Sequence, residues 1–371
     1  LAGSVVCNVR VQCFLLGLTI LGKGGGGEMS EGLALLEDVY HKGLPVTLVS
    51  LQEAPDDAMV CTPYLLGALD LSEKRHPKYQ RLPQSEAPAI CAAYSRLEQH
   101  LNTTFYGTLC CEMGGSNTAV AFYTAALNGG VVIDADPAGR AVPEITHSTY
   151  YLNNLPAAPI VAANTFDEVF IVEHVKDDLR AEQLMRALCQ ESANDIACID
   201  HAMKVKDIKH AVIEGTLSKA WKLGVTARQA QQKGRDVASS IALMGNGFVS
   251  FRGDIEHFSF DTQAGFTVGD VKISGTGKFA HHCYTLAVKN ENLVAYFDGE
   301  LDVTIPDLIC VIDTETGLPV TNPHYHKGQS VAVIILPAPT EFTTSRGLSV
   351  FGPAYAGIDS SYRPASPPHV N

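Results

Sequence analysis

Phe105-Tyr106-Gly107-Thr108-Leu109-Cys110-Cys111 runs into Glu112-Met113-Gly114-Gly115, then Ser116, then an Ala-rich stretch over residues 118–127 that stops at Asn128-Gly129-Gly130 ahead of Val131-Val132-Ile133. The order reads as strand, glycine loop, capped helix, turn and strand, which is the signature of a βαβ unit. Residues 131–133 are apolar throughout, as a parallel strand covered on both faces requires.

Working outward, the same grammar is expected upstream. The apolar run over residues 13–21 reads as a buried strand or a strand-helix junction, and Gly22-Lys23-Gly24-Gly25-Gly26-Gly27 as its loop. Ser30 then caps a helix with Leu33, Leu36, Val39 and Tyr40 on one face, Gly43 stops it, and residues 46–51 form the next strand. Downstream, Pro156-Ala157-Ala158-Pro159 marks a boundary. Residues 177–190 and 217–243 are helical by period, the second with Trp221 on its apolar side. After Gly245-Asn246-Gly247 come short alternating segments at 248–251, 268–273, 283–288, 293–297, 303–312 and 331–336. The expected fold is therefore an α/β N-terminal domain, a mostly parallel sheet with flanking helices, over residues 1–165. A helical segment and a β-rich domain, sandwich or barrel, follow over 166–371.

Composition narrows the function. The 371 residues carry 27 Lys+Arg against 40 Asp+Glu, a net charge of −13. Such a surface repels polyanions, so neither nucleic acid nor an anionic membrane is expected as a partner. No run approaches the roughly 20 apolar residues of a membrane span. Ten cysteines without stapling periodicity suggest reduced thiols and a cytoplasmic location. A small-molecule substrate and a homo-oligomeric assembly are the expectation.

Three constellations could carry chemistry. The two glycine turns, Gly24 to Gly27 and Gly114-Gly115 with Asn117, offer backbone N–H groups at helix starts to an acidic ligand. The first also satisfies Gly-x-Gly-x-x-Gly, with Glu53 as a ribose-binding acid, although four consecutive glycines satisfy almost any such pattern. Asp134-Ala135-Asp136-Pro137-Ala138-Gly139-Arg140 falls at the C-terminal end of a strand, where open α/β sheets bind ligands. Asp134, Asp136, Arg140 and neighbouring Glu112 are the catalytic candidates; an Asp–Arg ion pair closing the loop would explain three of them structurally. Asn290-Glu291-Asn292 interrupts an apolar strand pattern and is a substrate-binding candidate, or simply a hairpin turn. For a metal such as zinc, His281-His282-Cys283, His324-x-His326, His201 and His257 supply donors without a diagnostic spacing, so the ligands stay open. A Gly-x-Ser-x-Gly elbow is absent.

Taken in order, Leu21 to Gly27, Glu112 to Asn117, Asp134 to Glu144, Asn290 to Ala295, Ile305 to Ile309, Gly352-Pro353, Gly357 and Tyr362-Arg363-Pro364 resemble the S-methyl-thiohydantoin desulfurase-like family, often found beside hydantoinase/oxoprolinase proteins. The resemblance spans nearly the whole chain. It implies an α/β domain followed by a largely β domain, and a role in processing five-membered cyclic ureides or thiohydantoins. The leading expectation is a hydrolase acting on a small cyclic amide or thioamide with an acidic side chain, a carboxylate activating water and a divalent metal assisting. The alternatives are a non-catalytic binding or assembly subunit with a hydantoinase/oxoprolinase-type partner and, third, a nucleotide-binding oxidoreductase.

Overall fold

The computed structural model describes residues 4–67 and 79–367. The chain opens with α1 (Ser4–Gly22) and α2 (Met29–His41), followed by strands β1 (Leu48–Val49) and β2 (Met59–Gly67). Next come α3 (Ala89–Leu101), β3 (Gly107–Thr108), α4 (Asn117–Leu127), β4 (Val131–Ile133) and the short β5 (Ala135–Asp136). After α5 (Thr149–Leu152) come β6 (Ile160–Ala163), β7 (Val169–Val172), α6 (Asp178–Glu191), β8 (Asp195–Lys204) and α7 (Val205–Ile208). The first sheet has the order β1-β4-β3-β2-β8-β6-β7. Its first four strands are parallel, and β8, β6 and β7 add to it antiparallel. Strands on either side of residue 165 thus share one sheet, which runs on to Lys204.

Then β9 (Ile213–Glu214), α8 (Thr216–Gln232) and α9 (Val237–Met244) lead into the second sheet. It comprises β10 (Phe248–Gln263), β11 (Phe266–Gly275), β12 (Cys283–Lys289), β13 (Glu291–Phe297), β14 (Glu300–Thr304), β15 (Leu308–Asp313) and β16 (Ser330–Leu336). All of its pairings are antiparallel, in the order β14-β13-β12-β11-β10-β16-β15, forming a half-barrel. The short helix α10 (Ser345–Phe351) follows. Register shifts between Val249 and Phe251 and between Ile255 and His257 bend the long β10, as bulges do.

The clearest departure from expectation is α1. Residues 13–21 form helix, and the chain goes from helix through the glycines into another helix. The reason is burial: Leu15, Leu18, Ile20 and Leu21 are wholly enclosed, packed with α8 and with Leu308, Ile312 and Ile334 of the second sheet. A helix apolar on every side has no amphipathic period to betray it. Its contact with α8 is close enough that a Cβ on Gly17 would fall 1.7 Å from the Ala220 carbonyl oxygen, and one on Gly224 1.7 Å from that of Cys13. The expected helix over 217–243 is broken at Lys233-Gly234-Arg235 into α8 and α9, Gly234 taking a φ of 60°. Trp221 lies on its more exposed side, 38% accessible. Likewise residues 303–312 split into β14 and β15 around Ile305-Pro306.

Candidate functional site

A cavity of about 1620 Å³ is lined by Gly25, Gly26, Gly27, Glu112, Asn117, Asn290 and Glu291. The first glycine turn, the second loop and the Asn-Glu-Asn segment therefore converge on one space, although they are far apart in the chain.

Sterics dictate the first turn. A Cβ on Gly25 would sit 2.1 Å from Glu291 Oε1, so only glycine lets that carboxylate approach. Gly26, at φ +76°, passes so near the second loop that a Cβ would lie 2.5 Å from Gly114 Cα. Several of the turn's carbonyls are engaged. Gly26 O accepts from Ser116 N (3.0 Å) and Asn117 N (3.1 Å), Lys23 O from Asn292 N (3.1 Å), and Gly24 O from Asn322 N (2.9 Å). The turn is a seam joining both halves, and Gly26 O takes up the N–H of the N-cap Ser116 and of Asn117, the first residue of α4. Gly24 rests against Asn322, while Gly114 and Gly115 back the turn from behind. Asn292 is fully buried, its Nδ2 donating to Ile309 O at 3.0 Å.

Glu112 and Glu291 are buried acids that meet the cavity from opposite halves, and Asp200 is a third buried acid on its wall. Glu112 Oε1 accepts from Asn117 Nδ2 (2.8 Å) and Oε2 from Val142 N (2.7 Å). Asn117 is itself oriented, because its Oδ1 accepts from Leu65 N at 2.8 Å. Burial raises the Glu112 pKa, and these two donors oppose the rise. Glu291 Oε2 has no partner. Burial, with the Glu112 charge adding, pushes the Glu291 carboxyl up to about 8 despite Lys23 and Arg140 nearby. Behind them, Lys23 is buried with Nζ unpartnered; burial and then the Arg140 charge hold its pKa well below the usual lysine value.

The Asp134–Arg140 segment touches the cavity only through Pro137. None of its three charged residues lines the cavity. Asp134 Oδ1 accepts from Leu217 N (3.0 Å) and Ser218 N (3.1 Å), and Oδ2 from Ser218 Oγ (2.5 Å), capping α8 from another part of the chain. Asp136 is fully buried, its Oδ2 taking Ala138 N (2.9 Å) and Gly139 N (2.8 Å), and burial raises its pKa to about 7. Arg140 donates to Pro306 O and, at 3.3 Å, to Asp307 O, and its guanidinium covers the Phe351 ring at 5.0 Å. These contacts tie the two halves together. The strand end here is occupied by the chain itself.

Sequence reasoning passed over a third group on the cavity wall. β8 carries Asp200 and His201, with Tyr64 and Cys111 alongside. The signal available was an adjacent acid and imidazole closing the apolar run Ile196-Ala197-Cys198-Ile199. The lining also carries Glu28, Glu31, Asp38, Glu144 and Asp195, with Arg186 as the one Lys or Arg side chain among the described residues that line it.

The dinucleotide reading loses its structural basis. The glycine run follows a helix, so the strand-loop-helix context of a dinucleotide fingerprint is missing, and Glu53 merely accepts from Ser50 N (2.9 Å) and Oγ (2.8 Å) in an exposed turn. Among the described residues no group of three or more His, Cys, Asp or Glu could hold a metal ion. His282 pairs with Asp298 (2.6 Å) and His324 with Glu28 (3.3 Å).

With this geometry in place, comparisons with known proteins are informative. A model described as the S-Me-THD-like N-terminal domain matches residues 9–174, and one for the S-Me-THD-like C-terminal domain matches residues 176–365. A crystal structure of a protein from Chromobacterium violaceum is similar at a TM-score of 0.77 and 24% identity, covering 97% of this chain and 99% of that one; it supports the fold alone. No curated protein matches.

Proposed function

Because the chain belongs to the S-Me-THD-like family, we propose that it is a hydrolase acting on a small cyclic amide or thioamide of the hydantoin or thiohydantoin class. The observation that carries this reading is a pair of buried carboxyls on one cavity that are held differently: Glu112 accepts from Asn117 Nδ2 and Val142 N, whereas Glu291 Oε2 has no partner. Two acids in such different surroundings divide into a base and an acid.

Glu112, held by Asn117 and the Val142 N–H, is the base that takes a proton from water as its oxygen attacks the ring carbon. Glu291, its pKa raised to about 8, keeps its proton at neutral pH and gives it to the ring nitrogen, or to the sulfur leaving as a thiol, as that atom's bond to the attacked carbon breaks. Gly25 permits that approach. Arg140 and Lys23 act from behind: the guanidinium clamps Pro306 and Asp307, and the lysine faces the same carboxyls without reaching the ring. General acid–base assistance of this kind supplies about 10²–10⁴-fold in rate.

The test is turnover of hydantoin, 2-thiohydantoin and S-methyl-2-thiohydantoin by the full chain, followed by mass spectrometry for water addition or thiol release. Glu112→Gln should lower kcat by about 10²–10⁴-fold while leaving thermal unfolding intact. Ligand binding without turnover in the native chain would favour a non-catalytic binding subunit instead.

A further inference from the structure

His201 is unusual in three ways at once. Its φ is 44°, a region in which a non-glycine side chain is strained. Its Nδ1 lies 2.7 Å from Asp200 Oδ1, and Tyr64 OH donates to Asp200 Oδ2 at 2.9 Å, so the carboxylate accepts on both oxygens. Its Nε2 is buried without a partner, although the residue lines the cavity and its ring stacks on Tyr150 at 4.3 Å. A carboxylate at Nδ1 keeps the proton there and leaves Nε2 as a bare acceptor. An acceptor shut away from water costs stability unless something donates to it. Strain and an unmet acceptor together, in a cavity wall, mark a place reserved for a ligand's N–H.

The station is coupled to the carboxyl pair through one strand. Thr62 pairs with Asp200 across β2 and β8, Tyr64 reaches Asp200, and the next residue, Leu65, donates to the Asn117 that holds Glu112.

We propose that His201 Nε2 accepts a ring N–H of the cyclic substrate, so that this residue selects rings unsubstituted at that nitrogen and sets the ring's orientation toward Glu112 and Glu291. The proposal rests on the hydrolase reading of the cavity. A site built around a buried acceptor rejects an analogue that cannot donate, because alkylation leaves the acceptor unpaired and adds bulk where it has no room.

The experiment compares 2-thiohydantoin with its 1-methyl and 3-methyl derivatives, by turnover and by calorimetric binding, in the native chain, His201→Asn and Asp200→Asn. Asparagine suits the positive φ at 201, which keeps the backbone undisturbed. The native chain should disfavour one N-methyl isomer by roughly a hundredfold or more. His201→Asn should weaken the parent ring and shrink that ratio towards unity, with circular dichroism unchanged. Asp200→Asn, which frees the imidazole to place its proton on Nε2, should weaken the parent ring similarly. Equal tolerance of both isomers by the native chain, or a ratio that survives in His201→Asn, overturns the assignment. Binding with the expected ratio but no turnover sinks the hydrolase reading and leaves the recognition role of His201 standing.

Discussion

Two buried acidic regions of this molecule can be set side by side. Asp134 and Asp136 lie in a segment whose residue types advertise catalysis, yet every oxygen with a partner there serves the chain: one side chain caps α8 and the other closes a turn. Glu112 and Glu291 instead border the cavity. Both regions are acidic, and each keeps one buried carboxylate oxygen without a partner, Asp136 Oδ1 and Glu291 Oε2. What separates architecture from chemistry is which acids reach open space.

That contrast can be broken by substitution. The largest difference is expected between Glu112→Gln and Asp136→Asn: turnover should collapse in the first and stay within a few-fold in the second. Asp136 should show itself through stability instead. Its folded pKa is raised to about 7 by burial, so the folded chain keeps a proton that the unfolded chain has lost. Stability therefore falls as pH rises from about 4 towards about 7, and Asp136→Asn should remove that component in urea unfolding measured across the window. Arg140→Met is expected next, at about 1–3 kcal/mol of lost stability by chemical denaturation, because it leaves the Pro306 and Asp307 carbonyls without their buried donor. Asp134→Ala should cost about 1 kcal/mol, the usual worth of a helix cap, with turnover preserved. The smallest effect belongs to Cys111→Ser. Burial, then Glu112, pushes that thiol's pKa well up, so it is no thiolate nucleophile, and the substitution should leave kcat unchanged.

Much of the fold was legible where local chemistry and burial agree. α4 and β4 stand where the alanines and the double glycine put them, although the Ser116 side chain makes no capping hydrogen bond, and the alternating half of the chain is the antiparallel sheet. α1 was illegible as a helix because enclosure between α8 and the second sheet removes the polar face that periodicity depends on. The break at Gly234 shows the opposite case, a local residue overriding a long helical pattern. At the site, Glu112 was found through its glycine loop, and Glu291 through its polarity in an apolar strand. His201 was visible only as a loose metal donor. Its pairing with Asp200 and Tyr64 depends on strands β2 and β8 lying side by side, a contact between residues more than a hundred positions apart.

The central claim is that Glu291 enters the reaction protonated while Glu112 does not. The pH dependence of kcat/KM for the native chain and for Glu291→Gln tests it most directly. A raised carboxyl pKa of about 8 means the donor is present below that pH and lost above it, so native activity should fall on the alkaline side with a midpoint near 8. In Glu291→Gln that limb should disappear and the remaining rate should be lower throughout. An alkaline limb that persists unchanged in Glu291→Gln would contradict the account.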